Sequence, residues 1–350
     1  MPWRWPTSAC AGRWPRPGLR DLGASPRRCW ISSRRRICRS SRGSGWRRST
    51  LRVCEIGEFP LIERLCGRLK VRSPGLVVGP GDDVAVVECG EGFELLTVDS
   101  QVEGVHFLLD RVDPFALGRK TLAVNASDVA SSGGVPLFAL VSLFLPPDLE
   151  VAWLERFYDG LSAEADRLGV SVVGGNVSRS RVLAFDLALV GRVERDKLLL
   201  RSGARPGDRL FVTGHLGDSA AGLKVLLEGA PDGLSGADAD YLLGRHLLPS
   251  ARVKEVRAVL ERFTPTACVD LSDGISSDLH HLCRSSGVGA LLRASSLPLS
   301  GPLRRACALW GIDPLDLALR GGEDYELLLS VRPEDVPHLE GLGFPVQEVG

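Results

Sequence analysis

Aspartates recur beside glycines and strand ends in this 350-residue sequence. The segments are 81–83, 98–99, 127–128, 217–218 and 270–274. Four or more carboxylates that converge at neutral pH repel one another, and hard cations such as Mg²⁺ neutralise them while also holding phosphate. A single Asp of this kind is more often a turn former or a helix N-cap, so the metal interpretation depends on the recurrence.

Other polar segments have the composition of phosphate or substrate contacts. Residues 174–176 (Gly-Gly-Asn) follow a predicted strand, where the backbone can approach a phosphate closely. Residues 273–274 turn into a helix whose amide end favours anions. Arg201 could pair with a phosphate or be solvated, and His106 could contact substrate or be a structural His. Residues 321–325 place two acids after a glycine turn, where capping competes with ligand binding.

Several common site types are absent from the sequence. It holds no GxxxxGK[ST] segment and no GxGxxG after a strand, which disfavours the commonest nucleotide-binding folds. Nine scattered Cys form no CxxC pair, and no export signal is visible, so we expect reduced thiols and a cytoplasmic protein. The longest apolar run, 135–145, is too short to cross a bilayer and predicts a buried strand.

Charge divides the chain into two chemically different parts. Lys plus Arg and Asp plus Glu both number 43, yet residues 1–50 hold thirteen Arg, five of the seven Trp and a single acid. The remainder carries 30 basic and 42 acidic residues, a net charge of −12. Residues 1–52 could be a basic arm for RNA or anionic membrane, a transit peptide, or the translation of a start site assigned too far upstream of Val53. The third interpretation is favoured, and we expect this tail to be disordered.

Alternating strands and helices predict an α/β or α+β protein with two domains, 53–196 and 197–350, joined near the charged link 195–208. Hydrophobic periodicity predicts helices over 56–69, 117–130, 150–168, 238–247, 251–263 and 276–286, with another entered from a glycine-rich turn in 215–227. It predicts strands over 84–87, 95–98, 135–145, 170–173, 182–193, 210–213, 267–270 and 327–331.

A series of motifs in order closely resembles the thiamine-monophosphate kinase family of the PurM-like (aminoimidazole-ribonucleotide-synthetase-like) superfamily. The motifs are 57–59 (GEF), 79–83 (GPGDD), 99–107 with its EGVHF end, 123–128 (AVNASD), 174–176 (GGN), 201–204 (RSGA), 217–222 (GDSAAG), 270–274 (DLSDG) and 321–325 (GGEDY). The resemblance runs from about Cys54 to Gly350.

The resemblance implies a two-domain PurM-like fold, with a mixed-sheet N-terminal domain that pairs in a homodimer and a C-terminal α/β domain. It implies transfer of the γ-phosphoryl of ATP to thiamine phosphate, giving thiamine diphosphate, with several Mg²⁺ ions and no general base. The implied metal ligands are Asp83, Thr97, Val98, Asp99, Asp128, Asn176, Asp270 and Asp273. The implied ATP contacts are Tyr158, Gly175, Asn176, Arg201 and Ser272, and the substrate contacts are His106 and Glu323.

Three features depart from the family pattern. Val98 stands where many relatives have Thr, so it could ligate only through its carbonyl oxygen. Asn176 stands where many relatives have Asp. The sequence stops at Gly350, inside what looks like the penultimate segment, so we expect a C-terminal truncation that removes an aromatic substrate contact.

Alternative functions remain open from the sequence. One is another PurM-like ATP-dependent synthetase, although Cys54 and Cys66 lack the context of a selenophosphate synthetase nucleophile. Another is a non-catalytic thiamine-phosphate or nucleotide binding protein. A third is an RNA-associated protein, if the basic tail is native. Otherwise neither a nucleic acid nor a membrane is an expected partner.

Overall fold

The computed structural model describes residues 53–70 and 73–350, so the predicted disorder of residues 1–52 lies outside the described residues. Residues 63–350 form one unit that contains two sheets, and residues 53–62 are grouped separately. The first sheet ends at Glu194 and the second begins at Arg209, on either side of the predicted link. Each sheet carries its own helices, so the predicted two-part α/β organisation is confirmed.

The first sheet has six strands in the order β1-β2-β3-β6-β4-β5. They are β1 Leu76–Val78, β2 Ala85–Cys89, β3 Gly92–Val102, β4 Val135–Leu145, β5 Ser171–Arg179 and β6 Ala184–Glu194. Every neighbouring pair is antiparallel except β4 and β5, which are parallel because a helix connects them. The sheet is therefore mixed, as expected.

Two long helices pack on one face of this sheet, α2 Pro114–Ser131 and α3 Val151–Leu168, while the shorter α1 Glu58–Cys66 precedes it. Asp113 caps α2 by accepting a hydrogen bond from the Phe115 amide, and Pro114 fits the first helical turn, where no amide donor is needed. The rings of Phe157 and Phe185 stack in the core with centroids 4.2 Å apart. The other face of the sheet carries no helix among the described residues.

The second sheet has four antiparallel strands in the order β10-β7-β9-β8. Its strands are β7 Arg209–Thr213, β8 Ala267–Asp270, β9 Leu327–Val331 and β10 Val346–Glu348. Its helices are α4 Asp218–Glu228, α5 Gly236–Leu247, α6 Val253–Leu260, α7 Ile275–Ser286, α8 Gly301–Trp310 and α9 Pro314–Arg320. Within the described ranges, no helix combines the length and the hydropathy that a membrane crossing needs.

Two expectations about the first sheet are wrong. The strand predicted over 170–173 does not stop at the glycines but continues as β5 through Arg179, because Gly174 and Gly175 pair with β4. The strand over 135–145 is present, but it is buried on one side only. Phe138 and Leu140 are 49% and 47% exposed, since the helices cover a single face of the sheet.

Helix α2 is buried along most of its length because it lies between the first sheet, α3 and the second domain. Glycines allow the α2–α3 contact. A Cβ atom on Gly118 would lie 2.0 Å from the Phe157 carbonyl oxygen, and one on Gly160 would lie 1.9 Å from the Phe115 carbonyl oxygen. Both contacts are with backbone, so a side chain here could be accommodated only if the helices separated.

We therefore expect Gly160→Ala to lower the free energy of unfolding by about 2 kcal/mol, because the added methyl group overpacks a helix contact. Gly244→Ala is the matched control, since Gly244 is also helical and a Cβ there meets nothing within 4 Å. The control should be neutral or slightly stabilising through helix propensity. Thermal unfolding checks both variants, and a Gly160→Ala midpoint at or above that of the control would contradict the prediction.

Candidate functional site

Four aspartates from distant parts of the chain come together where α2 meets the second domain. Asp83 precedes β2, Asp99 lies in β3, Asp128 lies in α2, and Asp270 ends β8. The charges of the other three act directly on Asp128, so the four carboxylates form one electrostatic group. We call these four residues the Asp cluster.

Hydroxyl groups hold three members of the Asp cluster in place. Ser127 donates to Asp270 Oδ2 at 2.8 Å, and Ser131 donates to Asp83 Oδ2 at 2.5 Å. Ser127 and Ser131 stand four residues apart on one face of α2, so a single helix face contacts both carboxylates. Thr97 on β3 donates to Asp128 Oδ2 at 2.6 Å. The cluster is therefore oriented by contacts that join three chain segments to α2.

Burial makes the negative charge of the Asp cluster unfavourable. Burial first, and then repulsion from Asp83, raises the pKa of Asp270 to about 8. Burial, followed by the charges of Asp270, Asp99 and Asp83, raises the pKa of Asp128 well above its usual range. Burial also raises the pKa of Asp99. Added positive charge would therefore stabilise the ionised form of these carboxyl groups.

Arg201 supplies part of that positive charge. Its Nε donates to Asp83 Oδ1 at 2.7 Å, and its Nη2 contacts the same oxygen. Its backbone amide donates to Asp82 Oδ2 at 3.2 Å. Burial first, and then the neighbouring Asp83, raises the pKa of Asp82 to about 6. Arg201 is thus anchored at the Asp cluster rather than solvated.

The donor set suits a hard divalent cation, although a ready-made site is not formed. Within residues 53–70 and 73–350, no three His, Cys, Asp or Glu side chains are arranged to hold one ion. Three cluster members instead direct oxygens towards hydroxyl or guanidinium donors. All-oxygen ligands suit Mg²⁺, and the charge of the ion would offset the mutual repulsion of the carboxylates. The residues therefore fit Mg²⁺.

The loop after β8 continues the site. Ser272 accepts a hydrogen bond from the Glu323 amide through its carbonyl oxygen at 2.7 Å. Asp273 is exposed, and its amide donates to Asp278 Oδ2 at 3.2 Å. Burial, followed by the charge of Asp270, raises the pKa of Asp278 to about 9. Asp273 therefore lies at the open side of the group, with Asp278 behind it.

His106 and Glu323 lie near each other at the other side of the site. His106 Nδ1 accepts a hydrogen bond from the Val102 amide at 3.1 Å, and the ring is an electrostatic neighbour of both Glu323 and Asp99. Glu323 is a non-glycine residue with φ of 65°, and its carboxylate pairs with Lys120 at 3.0 Å. These contacts place both predicted substrate-binding residues beside the Asp cluster.

Four other predicted site residues are not among the contacts of the Asp cluster described above. Val98 is 61% exposed on the uncovered face of the first sheet, while its neighbour Thr97 faces α2. Asn176 and Gly175 lie on β5, which β6 and β4 separate from β3. The side-chain amide nitrogen of Asn176 donates a hydrogen bond to the Ser178 hydroxyl at 3.0 Å. Tyr158 on α3 packs edge-on against its neighbour Phe157.

Sequence reasoning missed several residues that orient the site. These are Lys120, Asn125, Ser131, His246 and Asp278. Asn125 accepts a hydrogen bond from the Asp99 amide at 3.0 Å. A lysine and an asparagine on the inner face of an otherwise apolar helix are a usable signal, because such groups are rarely buried without partners. His246 and Asp278 carry no comparable local signal.

Comparison with known proteins agrees with this geometry. The family profile described as AIR synthase related protein, N-terminal domain, matches residues 81–193, and the corresponding C-terminal domain profile matches residues 205–342. A thiamine-monophosphate kinase of Aquifex aeolicus is 43% identical over 284 residues, covering 80% of this chain and 87% of the relative. The Bacillus subtilis thiamine-monophosphate kinase is 36% identical over 299 residues, covering 84% and 90%.

A solved structure supports the same assignment. The structure described as AaThiL complexed with AMPPCP and TMP has a TM-score of 0.78 and 40% sequence identity to this chain. The match covers 87% of this chain and 93% of that one. The high identity, the nearly complete coverage and the two matched domains lead to one conclusion: the chain belongs to the thiamine-monophosphate kinase family.

Proposed function

We propose that this chain phosphorylates thiamine phosphate to thiamine diphosphate at the expense of ATP. The observation that carries the proposal is the Asp cluster with Arg201 at the domain junction, in a chain 43% identical to a thiamine-monophosphate kinase. A related structure was solved with AMPPCP and TMP, and the names of these two compounds match an ATP analogue and the proposed acceptor. The cytoplasm as the place of the reaction stays a prediction.

The reaction makes little demand for proton transfer. The acceptor is a phosphate monoester that is largely ionised at neutral pH, so no general base is needed to create the nucleophile. The main barrier is the approach of two polyanions, which positioning and charge compensation lower. We infer that Arg201 contributes positive charge next to the nucleotide phosphates, with Asp82 and Asp83 fixing its backbone and guanidinium.

The Asp cluster is proposed to hold Mg²⁺ ions, together with Thr97, the Val98 carbonyl, Asp273 and Asn176. When bound, Mg²⁺ neutralises the developing charge on the transferring phosphoryl group. The chain's own contribution is orientation, because Ser127, Ser131 and Thr97 fix the carboxylates before any ligand arrives. Ser272 and Gly175 are proposed ATP contacts, with Tyr158 the weakest of the set. His106 and Glu323 are proposed contacts for thiamine phosphate.

A homodimer is proposed for the same chain. The uncovered face of the first sheet presents apolar side chains, with Leu96, Val98, Phe138 and Leu140 between 39% and 61% exposed. An exposed apolar face of this kind is typical of an interaction surface, and the family resemblance implies a second copy as its occupant. Asn176 and Gly175, two of the proposed ATP contacts, lie on β5 of this sheet. The proposed dimer interface and part of the proposed ATP site therefore belong to the same sheet.

The first test is ADP release by the full chain from ATP and Mg²⁺, with and without thiamine phosphate. Release that requires thiamine phosphate and yields thiamine diphosphate supports the kinase.

Binding of thiamine phosphate without ADP release, measured by calorimetry, would favour the non-catalytic binding protein. ADP release that is independent of thiamine phosphate but requires another acceptor would favour a different PurM-like synthetase. Retention on RNA that disappears with residues 1–50 would favour the RNA-associated protein.

Asp128→Asn should lower turnover at least a hundred-fold, because it removes a proposed metal ligand at the centre of the Asp cluster. It should not lower the thermal midpoint, since the amide removes a buried charge and can still accept the Thr97 hydrogen bond. Asp166→Asn, at an exposed position on α3, is the control with unchanged activity. Near-normal turnover of folded Asp128→Asn would remove Asp128 from the proposed metal site.

Stability without divalent cations should fall as the pH rises from 7 to 8.5. Asp270 and Asp278 have folded-state pKa values of about 8 and 9, while an unfolded Asp titrates near ~3.9. The folded chain thus binds more protons in this range, and the stability from these groups is lost as pH rises through their folded values. Denaturant unfolding in EDTA measures the slope. Saturating Mg²⁺ should flatten it, and an equal slope with Mg²⁺ at matched ionic strength would contradict the prediction.

Leu140→Glu should convert the proposed dimer to a monomer, because it places a charge on the uncovered sheet face. Leu227→Glu on α4 is the control, since its 47% exposure equals that of Leu140 outside this face. Sedimentation velocity measures the oligomeric state. A wild-type monomer at micromolar concentration, or a Leu140→Glu dimer, would contradict the proposed interface.

A further inference from the structure

A network of polar side chains crosses the domain junction on the side of the site where thiamine phosphate is proposed to bind. Lys120 Nζ in α2 lies 3.0 Å from Glu323 Oε1, and His246 Nδ1 in α5 lies 3.3 Å from Glu323 Oε2. His246 Nδ1 also lies 3.1 Å from the hydroxyl oxygen of Ser219. Lys120 comes from the first domain, and the other three residues come from the second. Each carboxylate oxygen of Glu323 therefore has its own nitrogen partner.

The side chains of this network differ sharply in how deeply they are buried. The side chains of Lys120 and His246 are each 5% exposed, whereas that of Glu323 is 28% exposed. A ligand in the site can therefore reach the Glu323 carboxylate while the two nitrogen partners lie behind it. Lys120 and His246 act on a ligand only through Glu323, which makes them positioning residues rather than direct contacts.

The charges in this group favour an anionic Glu323. Burial would raise the pKa of Glu323, but the charge of Lys120 and its hydrogen bond are the main opposing effects, and the pKa lies below the usual range. Burial and the Lys120 charge lower the pKa of His246 to about 4, so its ring is neutral near pH 7. The pair Lys120–Glu323 therefore supplies the charge balance, and the neutral His246 ring packs with Nδ1 3.3 Å from the second carboxylate oxygen, which limits the movement of that oxygen.

The backbone around Glu323 is also tightly constrained. Glu323 and Tyr325 have φ values of 65° and 50°, in the left-handed region that is unfavourable for non-glycine residues. The Glu323 amide donates to Ser272 and the Tyr325 amide donates to Leu271, both in the loop after β8. Gly322 is pressed against the Ser272 carbonyl, where a Cβ would lie at 2.4 Å. Such strain persists only where the surroundings hold it, which is common at binding sites.

We propose that Lys120 and His246 are specificity-determining positioning residues that hold Glu323 as a fixed anionic acceptor for the amino-bearing ring of the acceptor substrate. This inference rests on the proposed function, in which that substrate is thiamine phosphate. Because Lys120 belongs to the first domain, the acceptor site is complete only when the two domains are packed together. A purely structural ion pair would stabilise the junction without affecting one substrate more than the other.

The test is steady-state kinetics of the full chain with each substrate varied in turn. Lys120→Met keeps the apolar stem and removes the charge, so it should raise KM for thiamine phosphate about ten- to a hundred-fold, the usual effect of losing a hydrogen bond to a charged group. The KM for ATP should change less than two-fold. His246→Gln should raise KM for thiamine phosphate in the same direction by a smaller factor, and Lys120→Arg should restore most of the loss.

Arg119→Met is the matched control. Arg119 precedes Lys120 on α2 and pairs with buried Glu164 at 2.8 Å, away from Glu323. Its loss should lower the thermal midpoint and leave both KM values near wild type. In a Glu323→Gln background, Lys120→Met should add little to the KM increase, because both changes act through one carboxylate.

The outcomes separate this inference from the proposed function. If the wild type turns over and Lys120→Met and His246→Gln behave like Arg119→Met, the positioning inference is overturned and the kinase assignment stands. If Lys120→Met does not fold, His246→Gln and Lys120→Arg decide the question through the same KM comparison. If the wild type lacks turnover, the proposed function fails, and calorimetric titration of thiamine phosphate into the same variants decides the inference. A wild type that does not bind thiamine phosphate overturns both.

Discussion

Repulsion among buried carboxylates is the constraint that shapes the junction between the two domains. Asp128 belongs to the first domain and Asp270 to the second, and the charge of Asp270 raises the cost of ionising Asp128. What holds them together is the apolar burial of α2, with Leu122 and Val129 fully buried, and the hydroxyl of Ser127 on Asp270. Packing thus stabilises an arrangement that the charges of its carboxylates oppose, and added positive charge would relieve that opposition.

Helix α2 connects the two halves of the proposed reaction. Ser127 lies seven residues after Lys120, about two helical turns, so both point from the same side of α2 towards the second domain. One end of this face holds the Asp cluster and the other pairs with Glu323. Their separation along the helix, roughly 10 Å, matches the scale of an acceptor molecule whose phosphate must meet the nucleotide. Any shift of α2 would move both ends together.

The first sheet has one buried and one uncovered face, and this asymmetry follows from its connections. The parallel pair β4–β5 requires a crossover, and α3 crosses on the same side as α2. The opposite face keeps Phe138 and Leu140 exposed. The strand β4 would be fully buried if helices covered both faces of the sheet. Because they cover one face only, this apolar strand is half covered.

The sequence by itself determined the α/β class, the strands 135–145, 267–270 and 327–331, and the recurrence of Asp near strand ends, because local periodicity and turn chemistry fix those features. It did not reveal the short elements β1, β10 and α9, which are too brief for a periodic signal. It also misplaced the end of β5, because Gly175, a residue type that usually breaks a strand, is required here for close approach to β4. The tertiary structure alone decided that Lys120, His246 and Glu323 meet. Contacts between residues more than seventy positions apart depend on how helices pack, and no local pattern in the chain encodes that packing.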